Sequence, residues 1–273
     1  MHGATGPTGA TIGVASADIS ATDRLFAAAL GLPTDGAGRY LLGRDVVLAV
    51  HRSEAGGRGG PTELVLHGDR TAERAGVLGG VPFRLTNDPL DPPPGTAEAV
   101  LGLDHLGVAS DDSAGLVAAL TSELGFEYES RQIDTQLEST IEVFSSDRYG
   151  VVSHTGSART AGALLVTFLR RGRVDIEILQ DIVTAGGTGG PGPGSTTGDN
   201  RAISRFVARH GAGPHHLAIR VRDIEPAIAR FRDAGINMID TVGRPGSRRS
   251  RIAFLDRRST GGLVLHLVQR PDP

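Results

Sequence analysis

The stretch GVASADISATDRLFAAALGL, residues 13–32, decides the fold because it occurs again as GVASDDSAGLVAALTSELGF, residues 107–126. The two stretches align without a gap and are identical at seven of twenty positions. Each begins with a short β-branched run, continues with an Asp/Ser cluster that suits a helix N-cap, and closes an apolar-periodic segment with glycine. The repeat therefore predicts a strand followed by a helix, twice.

Two further copies of this unit follow the same order. HLAIRVRDIEPAIARFRDAGI begins at His216, and its Asp223 stands seven residues later, as Asp112 stands seven residues after His105. A weaker copy, ELVLHGDRTAERAGVLGGV, begins at Glu63 and predicts the same strand and helix with little strand material after it. The first three copies are followed by β-rich runs, at residues 40–51, 164–179 and 251–268.

These units predict an α+β fold of paired βαβββ modules, each pair forming a cupped mixed sheet, with two pairs in tandem. The first pair, residues 10–90, is compact and truncated in its second half, and the second pair, residues 103–270, is full length. Between them, NDPLDPPPG (residues 87–95) contains four prolines and predicts a linker. AGGTGGPGPGSTTGDN (residues 185–200) cannot bury apolar surface and predicts a mobile loop.

Composition excludes several chemistries. Cysteine and lysine are both absent, which excludes thiolate catalysis, iron–sulfur ligation and a Schiff base to pyridoxal phosphate. A net charge of -3 gives no electrostatic reason to expect nucleic acid or a membrane as partner. No apolar run approaches the ~20 residues of a membrane span, and residues 1–10 lack a basic flank and an apolar stretch. We therefore expect a cytoplasmic protein that acts on a small polar or acidic metabolite.

Four polar residues stand at matching places in the second pair. His105 and His216 begin the first strands of the two units, while Glu177 (VDIEILQ) and His266 (LVLHLVQ) lie in the last strands. An imidazole or carboxylate that faces inward on an apolar strand is costly unless it is paired, hydrogen-bonded or bound to metal. A lone strand histidine is more often a structural or surface residue, but the pseudo-symmetry of these four favours ligation of one divalent ion.

The first pair provides an internal control for this hypothesis. In the gapless alignment of the repeats, Thr11 replaces His105, and when GRDVVLAVH is laid on GRVDIEILQ, Leu48 replaces Glu177. Neither replacement is an ordinary metal ligand. The first pair is thus expected to keep the scaffold without the ligands, as it should if these positions serve a site and not the fold.

Residues 103–269 resemble the vicinal oxygen chelate superfamily, and most closely its methylmalonyl-CoA epimerase branch. The motifs LDHLGVA, LLVTFLRRGRVDIEILQ, GAGPHHLAIRVRDIEPAIARFRDAGINMID, RPG and RIAFLDRRSTGGLVLHLVQ carry the resemblance. It implies four metal ligands, which map in order to His105, Glu177, His216 and, in place of the usual glutamate, His266. His215 would then point away from the ion as a structural residue.

The resemblance also sets limits on the activity. The epimerases have a catalytic glutamate just before the strand near Leu164, where this chain has Ala161 and Gly162, which argues against methylmalonyl-CoA itself. The tandem layout also resembles 4-hydroxyphenylpyruvate dioxygenase and extradiol dioxygenases, which implies two histidines and one glutamate on iron. A six-coordinate ion with four protein ligands has two open positions, enough for two oxygens of a substrate. With three protein ligands, the ion could bind the substrate and dioxygen together. His266 therefore decides between isomerase and oxygenase.

The long insert between Gly125 and Leu164 is where we expect a general base. Glu142, in STIEVFSS, and His154 are the candidates, although a solvated strand residue and a loop residue fit these positions as well. Near the expected mouth of the site, arginines cluster around Pro245 and could grip a phosphate or carboxylate, while a solvated basic turn fits equally. These predicted substrate-binding residues are Arg244, Arg248 and Arg251.

We therefore predict a metal-dependent epimerase or isomerase that acts next to a carbonyl of a small hydroxy-ketone or acyl substrate through an enediolate. One carboxylate and three neutral imidazoles would leave a divalent site about one unit positive, which polarises a ketone. A non-haem iron dioxygenase of an aromatic or keto-acid substrate and a metal-free resistance protein that binds a small molecule are the alternatives. The expected cofactor is one divalent transition metal (Fe, Co, Ni, Zn or Mn). The family resemblance alone suggests a homodimer.

Overall fold

The computed structural model describes most of the chain, namely residues 9–55, 57–68, 73–97, 99–138, 141–148, 150–155, 159–182 and 202–271. Within these ranges, side chains are not described at residues 136–138, 141–145, 152–155 and 159–162. The predicted loop at residues 185–200 lies outside the described residues.

A curled six-stranded mixed sheet forms the first part of the protein. Its strands are β1 (Gly9–Ser16), β2 (Arg39–Leu42), β3 (Val46–Arg52), β4 (Gly60–His67), β5 (Arg74–Leu78) and β6 (Val81–Thr86). They lie in the order β2-β3-β1-β4-β6-β5. The helix predicted after β1 is present as α1 (Ile19–Asp23), which continues as a π-helix over Arg24–Ala29.

A curled eight-stranded sheet forms the second part. Its strands are β7 (Val100–Ala109), β8 (Glu127–Glu138), β11 (Arg159–Arg171), β12 (Val174–Ile182), β13 (Gly213–Val221), β14 (Arg244–Pro245), β15 (Arg251–Phe254) and β16 (Val264–Gln269). A separate hairpin consists of β9 (Ile141–Ser146) and β10 (Gly150–Thr155). The helices are α2 (Ser113–Leu124), α3 (Ala202–His210) and α4 (Ile224–Asp233).

The two units of the second part meet at the centre of the sheet, whose order is β14-β15-β16-β13-β7-β12-β11-β8. Here β7 and β13 pair antiparallel, and each pairs in parallel with the last strand of its own unit, β12 or β16. The first strands of both units and their last strands are therefore neighbours. The paired βαβββ architecture and its tandem duplication are confirmed.

Helix starts and stops confirm the repeat in detail. Asp18 accepts a hydrogen bond from the Ala21 amide at 3.1 Å, and Asp112 accepts one from the Gly115 amide at 2.9 Å, so the same residue of the repeat caps α1 and α2. Asp223 occupies the N-cap of α4. The three helical segments of these copies are each followed by a glycine with positive φ, namely Gly31, Gly125 and Gly235.

The prediction of a helix in the weaker copy, which begins at Glu63, is wrong. The strand at its start is present as β4, but Arg74–Leu78 is a strand that forms a hairpin with β6. Gly79 and Gly80 make the turn with φ of 51° and 80°, a conformation that glycine adopts without steric strain. A Cβ on Gly80 would lie 1.8 Å from the carbonyl oxygen of Ala212, so this turn also packs directly against the second part.

The two sheets share one hydrophobic core, which includes Ile12 and Leu64 from the first sheet and Leu106 and Leu217 from the second. Arg74 forms an ion pair with Glu123 of α2 at 2.6 Å across the junction. The chain between the sheets, residues 87–95, contains no helix or strand, and the predicted boundaries of the two pairs remain predictions. Among the helices of the described residues, none has the length and apolar character that crossing a membrane requires.

Candidate metal centre

The four predicted ligands come together on the central strands β7, β12, β13 and β16. Glu177 Oε2 lies 3.2 Å from His105 Nε2 and 3.3 Å from His216 Nε2. The two Nε2 atoms are 3.3 Å apart. His266 stands beside them, with ring centroids 5.3 Å from His105 and 5.0 Å from His216, and ligand nitrogens of the three histidines lie within 4.8 Å of one another.

This donor set fits a divalent transition metal. All four side chains are buried, with 3–5% of their surface exposed, and Nδ1 of His266 is buried without a hydrogen-bond partner. Buried polar atoms are normally satisfied, so an orphaned nitrogen beside a buried carboxylate indicates a missing partner. Three imidazoles and one carboxylate are ligands that such ions accept. That these residues bind a metal remains a prediction.

Electrostatics couple the four groups. Burial alone would raise the pKa of Glu177, but the neighbouring His105 and His216 hold it well below its ordinary value. Burial alone would lower the pKa of His105, but Glu177 and Asp104 raise it to about 9. Burial lowers the pKa of His216 and of His266. The carboxylate is therefore ionised, and the imidazoles of His216 and His266 are neutral, as metal ligation requires, whereas His105 would release a proton when it binds the ion.

A second layer of residues orients His105. Its Nδ1 lies 2.7 Å from Asp104 Oδ1, which directs Nε2 toward Glu177. Arg270 donates to both oxygens of Asp104 at 2.6 and 2.8 Å, and Arg248 Nη2 lies 3.5 Å from Oδ1. Sequence reasoning missed Asp104 and Arg270, although the position of Asp104 next to His105 in the DH motif was a usable signal.

Gly107 makes room for His216. The two residues are paired across β7 and β13, and a Cβ on Gly107 would lie 2.0 Å from Cε1 of the His216 ring. Only glycine leaves this space free, so Gly107 supports the site through the side chain it lacks. The repeat marked Gly107 as a shared position, but nothing in the sequence linked it to His216.

A cavity of about 1010 Å³ opens over the four ligands. Its walls are largely apolar and include Val166, Phe168, Leu179, Ile203, Ile239 and Phe254. Asp134 of β8 also lines it, and desolvation, with the negative charge of Glu177, raises the pKa of this carboxyl group. His215 lines the cavity as well, and its Nδ1 lies 3.1 Å from Nδ1 of His216, on the opposite side of that ring from Nε2.

The three predicted substrate arginines differ in their surroundings. Arg244 lines the cavity. Arg248 is not among the lining residues: its guanidinium lies 3.6 Å from the centre of the Phe168 ring and pairs with Asp175 at 2.9 Å, on a backbone with φ of 55° that non-glycine residues rarely adopt. Arg251 does not line the cavity either, and it pairs with Glu225.

The predicted general bases lie on the β9–β10 hairpin, where Glu142 and His154 are direct cross-strand partners. Their side chains lie outside the described part of the chain, so their role stays a prediction.

Strand register locates the equivalents of the ligands in the first sheet. Gly13 faces Ala49 across β1 and β3, as Gly107 faces Glu177 across β7 and β12. The gapless alignment with Leu48 is therefore wrong by one residue, because the turn before β3 has three residues and the turn before β12 has two. Ala49 has no side-chain atom that could bind a metal, so this position still lacks a metal ligand, as predicted.

The other two equivalents form an ion pair. Glu63 faces Gly13 as His216 faces Gly107, and Arg84 stands at the register position of His266. Arg84 Nη2 lies 3.2 Å from Glu63 Oε1. Thr11, at the position of His105, hydrogen-bonds His67 at 2.9 Å. The first sheet thus satisfies these positions with its own side chains.

Comparisons with known proteins agree with this architecture. Residues 104–254 match the model of the Glyoxalase/Bleomycin resistance protein/Dioxygenase superfamily, and the chain belongs to that superfamily. The predicted family resemblance is confirmed. Uncharacterized protein YqjC of Bacillus subtilis (strain 168) is 24% identical over 104 residues, which are 38% of this chain and 64% of that protein. The match thus spans slightly less than two thirds of that relative.

Solved structures with the same fold include one of tandem length. A mutant of 4-hydroxymandelate synthase from Streptomyces coelicolor matches 97% of this chain and 93% of its own, with a TM-score of 0.62 and 15% identity. Methylmalonyl-CoA epimerase from Mycobacterium tuberculosis matches 66% of this chain and 94% of its own, with a TM-score of 0.47 and 20% identity. At 15% identity, the first likeness shows a common fold.

Proposed function

We propose that this chain is a metal-dependent epimerase or isomerase that moves a proton next to a carbonyl of a small hydroxy-ketone or acyl substrate, through an enediolate. The observation that carries the proposal is the convergence of His105, Glu177, His216 and His266 under one cavity. A divalent ion held by these residues would polarise a carbonyl and stabilise negative charge on its oxygen.

The surrounding residues prepare this site for such chemistry. The apolar residues in the cavity wall would displace water from the part of a substrate that packs against them, which would strengthen electrostatic interactions there. Asp104 holds His105 in one orientation. Four protein donors would leave positions for two substrate oxygens and none for dioxygen in addition.

The reaction also needs a group that accepts the proton. Glu142 and His154 remain our candidates, and Asp134 is a third because it lines the cavity and its pKa is raised by desolvation and by Glu177. A carboxyl group with a raised pKa is a better proton acceptor near neutral pH than an ordinary one. The single replacements Glu142→Gln, His154→Gln and Asp134→Asn would separate these candidates.

A non-haem iron dioxygenase is the second candidate function. Glu177 lies within 3.3 Å of both His105 and His216, and two histidines with one carboxylate are typical of non-haem iron sites. His266 contacts the two histidine rings, and no ion pair joins it to Glu177 among the described residues. If His266 does not bind the ion, dioxygen and substrate have room together. A structural neighbour of tandem length is a mutant of 4-hydroxymandelate synthase.

Three measurements on the purified full chain test the proposal. Metal analysis after reconstitution with iron, cobalt, nickel, zinc or manganese should give one ion per chain, and less than a tenth of an equivalent would rule out both enzymes in favour of a metal-free binding protein. Incubation with hydroxy-ketones and 2-substituted acyl thioesters in D₂O should place deuterium beside the carbonyl of a substrate. An oxygen electrode should show no consumption, whereas substrate-dependent uptake would establish the dioxygenase.

A further inference from the structure

Arg244 lines the cavity and has guanidinium donors without a partner among the described residues. Its Nε donates to both oxygens of Asp240 at 3.1 Å, and its Cζ lies 5.2 Å from the centre of the Phe254 ring. The Nη2 atom is buried without a hydrogen-bond partner. Within the described residues, Nη1 also has no hydrogen bond or ion pair. Both terminal nitrogens therefore have donors to spare, and because Nη2 is enclosed by the protein, Nη1 is the one that a ligand can reach.

Arg244 differs in this respect from the two neighbouring arginines. Arg248 is engaged by carboxylates, with Asp175 at 2.9 Å and Asp104 at 3.5 Å. Arg251 binds Glu225 and the Gly243 carbonyl oxygen. Both therefore hold the protein together, and neither lines the cavity.

Arg244 lies one aromatic ring away from the proposed metal centre. The Phe254 ring packs against Arg244 on one side, and its centroid is 4.5 Å from that of the His266 ring. The Phe254 amide donates to Asp240 Oδ2 at 2.9 Å, which fixes the aspartate that in turn fixes Arg244. The position of the guanidinium relative to His266 is therefore set by a continuous series of contacts.

The cavity that Arg244 lines has an apolar part, with Ile239, Ile252 and Phe254 in its wall, and a polar part that includes Ser247, Ser250 and Asp256. A cation with unpaired donors in such surroundings binds an anionic oxygen group far better than a neutral one. Because Nε is occupied by Asp240 and Nη2 is enclosed by the protein, Nη1 is the donor left for a ligand, and it can donate a charge-assisted hydrogen bond to one oxygen of a carboxylate.

We infer that the substrate is a monocarboxylic acid with an apolar body, whose carboxylate binds Arg244 while its carbonyl end reaches the four ligands. The inference rests on the proposed function for the carbonyl end, but the Arg244 contact is independent of it. Recognition of the acid by Arg244 should persist without metal. If the carboxylate bound the metal instead, recognition would depend on the ion and not on Arg244.

Calorimetric titration of the full chain tests this with 4-phenylbutanoate, its neutral amide and phenyl phosphate. We expect the acid to bind at least about tenfold more tightly than the amide, the effect of one charge-assisted hydrogen bond, in EDTA as well as with metal. Arg244→Gln should remove this preference and leave amide binding unchanged. Arg244→Lys should keep part of it, and Arg251→Gln, the matched control, should keep all of it.

Several results would overturn the inference. The acid and amide could bind equally, the preference could survive in Arg244→Gln, or phenyl phosphate could bind more tightly than the acid. A preference that EDTA abolishes would place the carboxylate on the metal, which would leave the proposed function standing while refuting the role of Arg244. Thermal unfolding of each variant shows whether it is folded, and Arg244→Lys keeps the test valid if Arg244→Gln is not.

Discussion

Asp104 Oδ1 and His105 Nδ1 are 2.7 Å apart, and Arg270 holds the same carboxylate with two hydrogen bonds. The Asp104–His105 pair determines which nitrogen of His105 faces the proposed metal, because the hydrogen-bonded Nδ1 leaves Nε2 directed toward Glu177. The ligand is thus oriented by its neighbour in sequence and by a residue at the far end of the chain.

The first prediction concerns this orientation. Asp104→Asn should weaken binding of Co²⁺ or Zn²⁺ by about 10- to 100-fold, the usual effect of losing such an outer partner, as measured by competition with a chelating dye. Asp35→Asn, in the loop before β2, is the control and should bind metal like the natural protein. Equal affinities for both variants would show that Asp104 does not orient a ligand.

The second prediction concerns the role of His266. His266→Ala should weaken metal binding by more than about 10-fold. Losing a residue that only supports a ligand already weakens metal binding by about 10-fold or more, and losing the ligand itself should cost more. His266→Glu should retain binding. His51→Gln, on an exposed strand position of the first sheet, serves as control. Unchanged affinity in His266→Ala would remove His266 from the ligand set and strengthen the dioxygenase alternative.

The third prediction uses the repeat as its own control. Gly107→Ala should destabilise the protein by about 1–3 kcal/mol, as overpacking does, because the new Cβ would lie 2.0 Å from the His216 ring. At the equivalent Gly13, a Cβ would meet Thr62 Oγ1 at 2.7 Å, a side-chain atom that can rotate away. Urea unfolding should therefore show a smaller loss for Gly13→Ala, and an equal loss would contradict the space-filling argument.

The fourth prediction concerns removal of the metal. A ligand that binds only the folded state stabilises it by about 2.7 kcal/mol at a free concentration 100 times its Kd. Adding EDTA to the metal-loaded protein should therefore lower the unfolding temperature, and calcium-saturated EDTA is the matched control. The shift should disappear in Glu177→Gln. A shift of the same size in that variant would locate the metal elsewhere.

The fifth prediction concerns His67, which contacts Thr11 in the first sheet. Burial lowers its pKa below the ordinary value of 6.5, so the unfolded chain takes up a proton on this residue more readily than the folded chain. Its contribution to stability is present above pH 6.5 and is lost as the pH falls below it. His67→Gln should lose less stability than the natural protein between pH 7.5 and 5.5 in urea unfolding, with His51→Gln as control.

The sequence allowed prediction of the features that are local or repeated. Asp18 and Asp112 could be recognised as helix caps because capping depends on a few neighbouring residues. The ligands His105 and His216 could be recognised because the pseudo-symmetry of the units brings equivalent positions together. Both kinds of prediction rest on patterns that a single chain displays directly.

Features that depend on register or on distant partners could not be predicted. One additional turn residue shifted the partner of Gly13 from Leu48 to Ala49, because strand pairing and not sequence spacing decides which residues face each other. The helix expected after β4 gave way to a hairpin, since paired glycines favour a turn over a helix. The sequence of neighbouring arginines does not indicate that Arg244 has N–H groups without partners whereas Arg248 forms ion pairs with carboxylates.

The ion pair between Glu63 and Arg84 has a practical consequence for spectroscopy. Glu63 and Arg84 neutralise each other at the positions where the second sheet has His216 and His266. These positions of the first sheet therefore offer no histidine to a metal ion and should add no spectroscopic signal of their own. An absorption band of cobalt bound to histidine nitrogen, recorded on the intact chain, would report one coordination sphere without a duplicate signal to subtract.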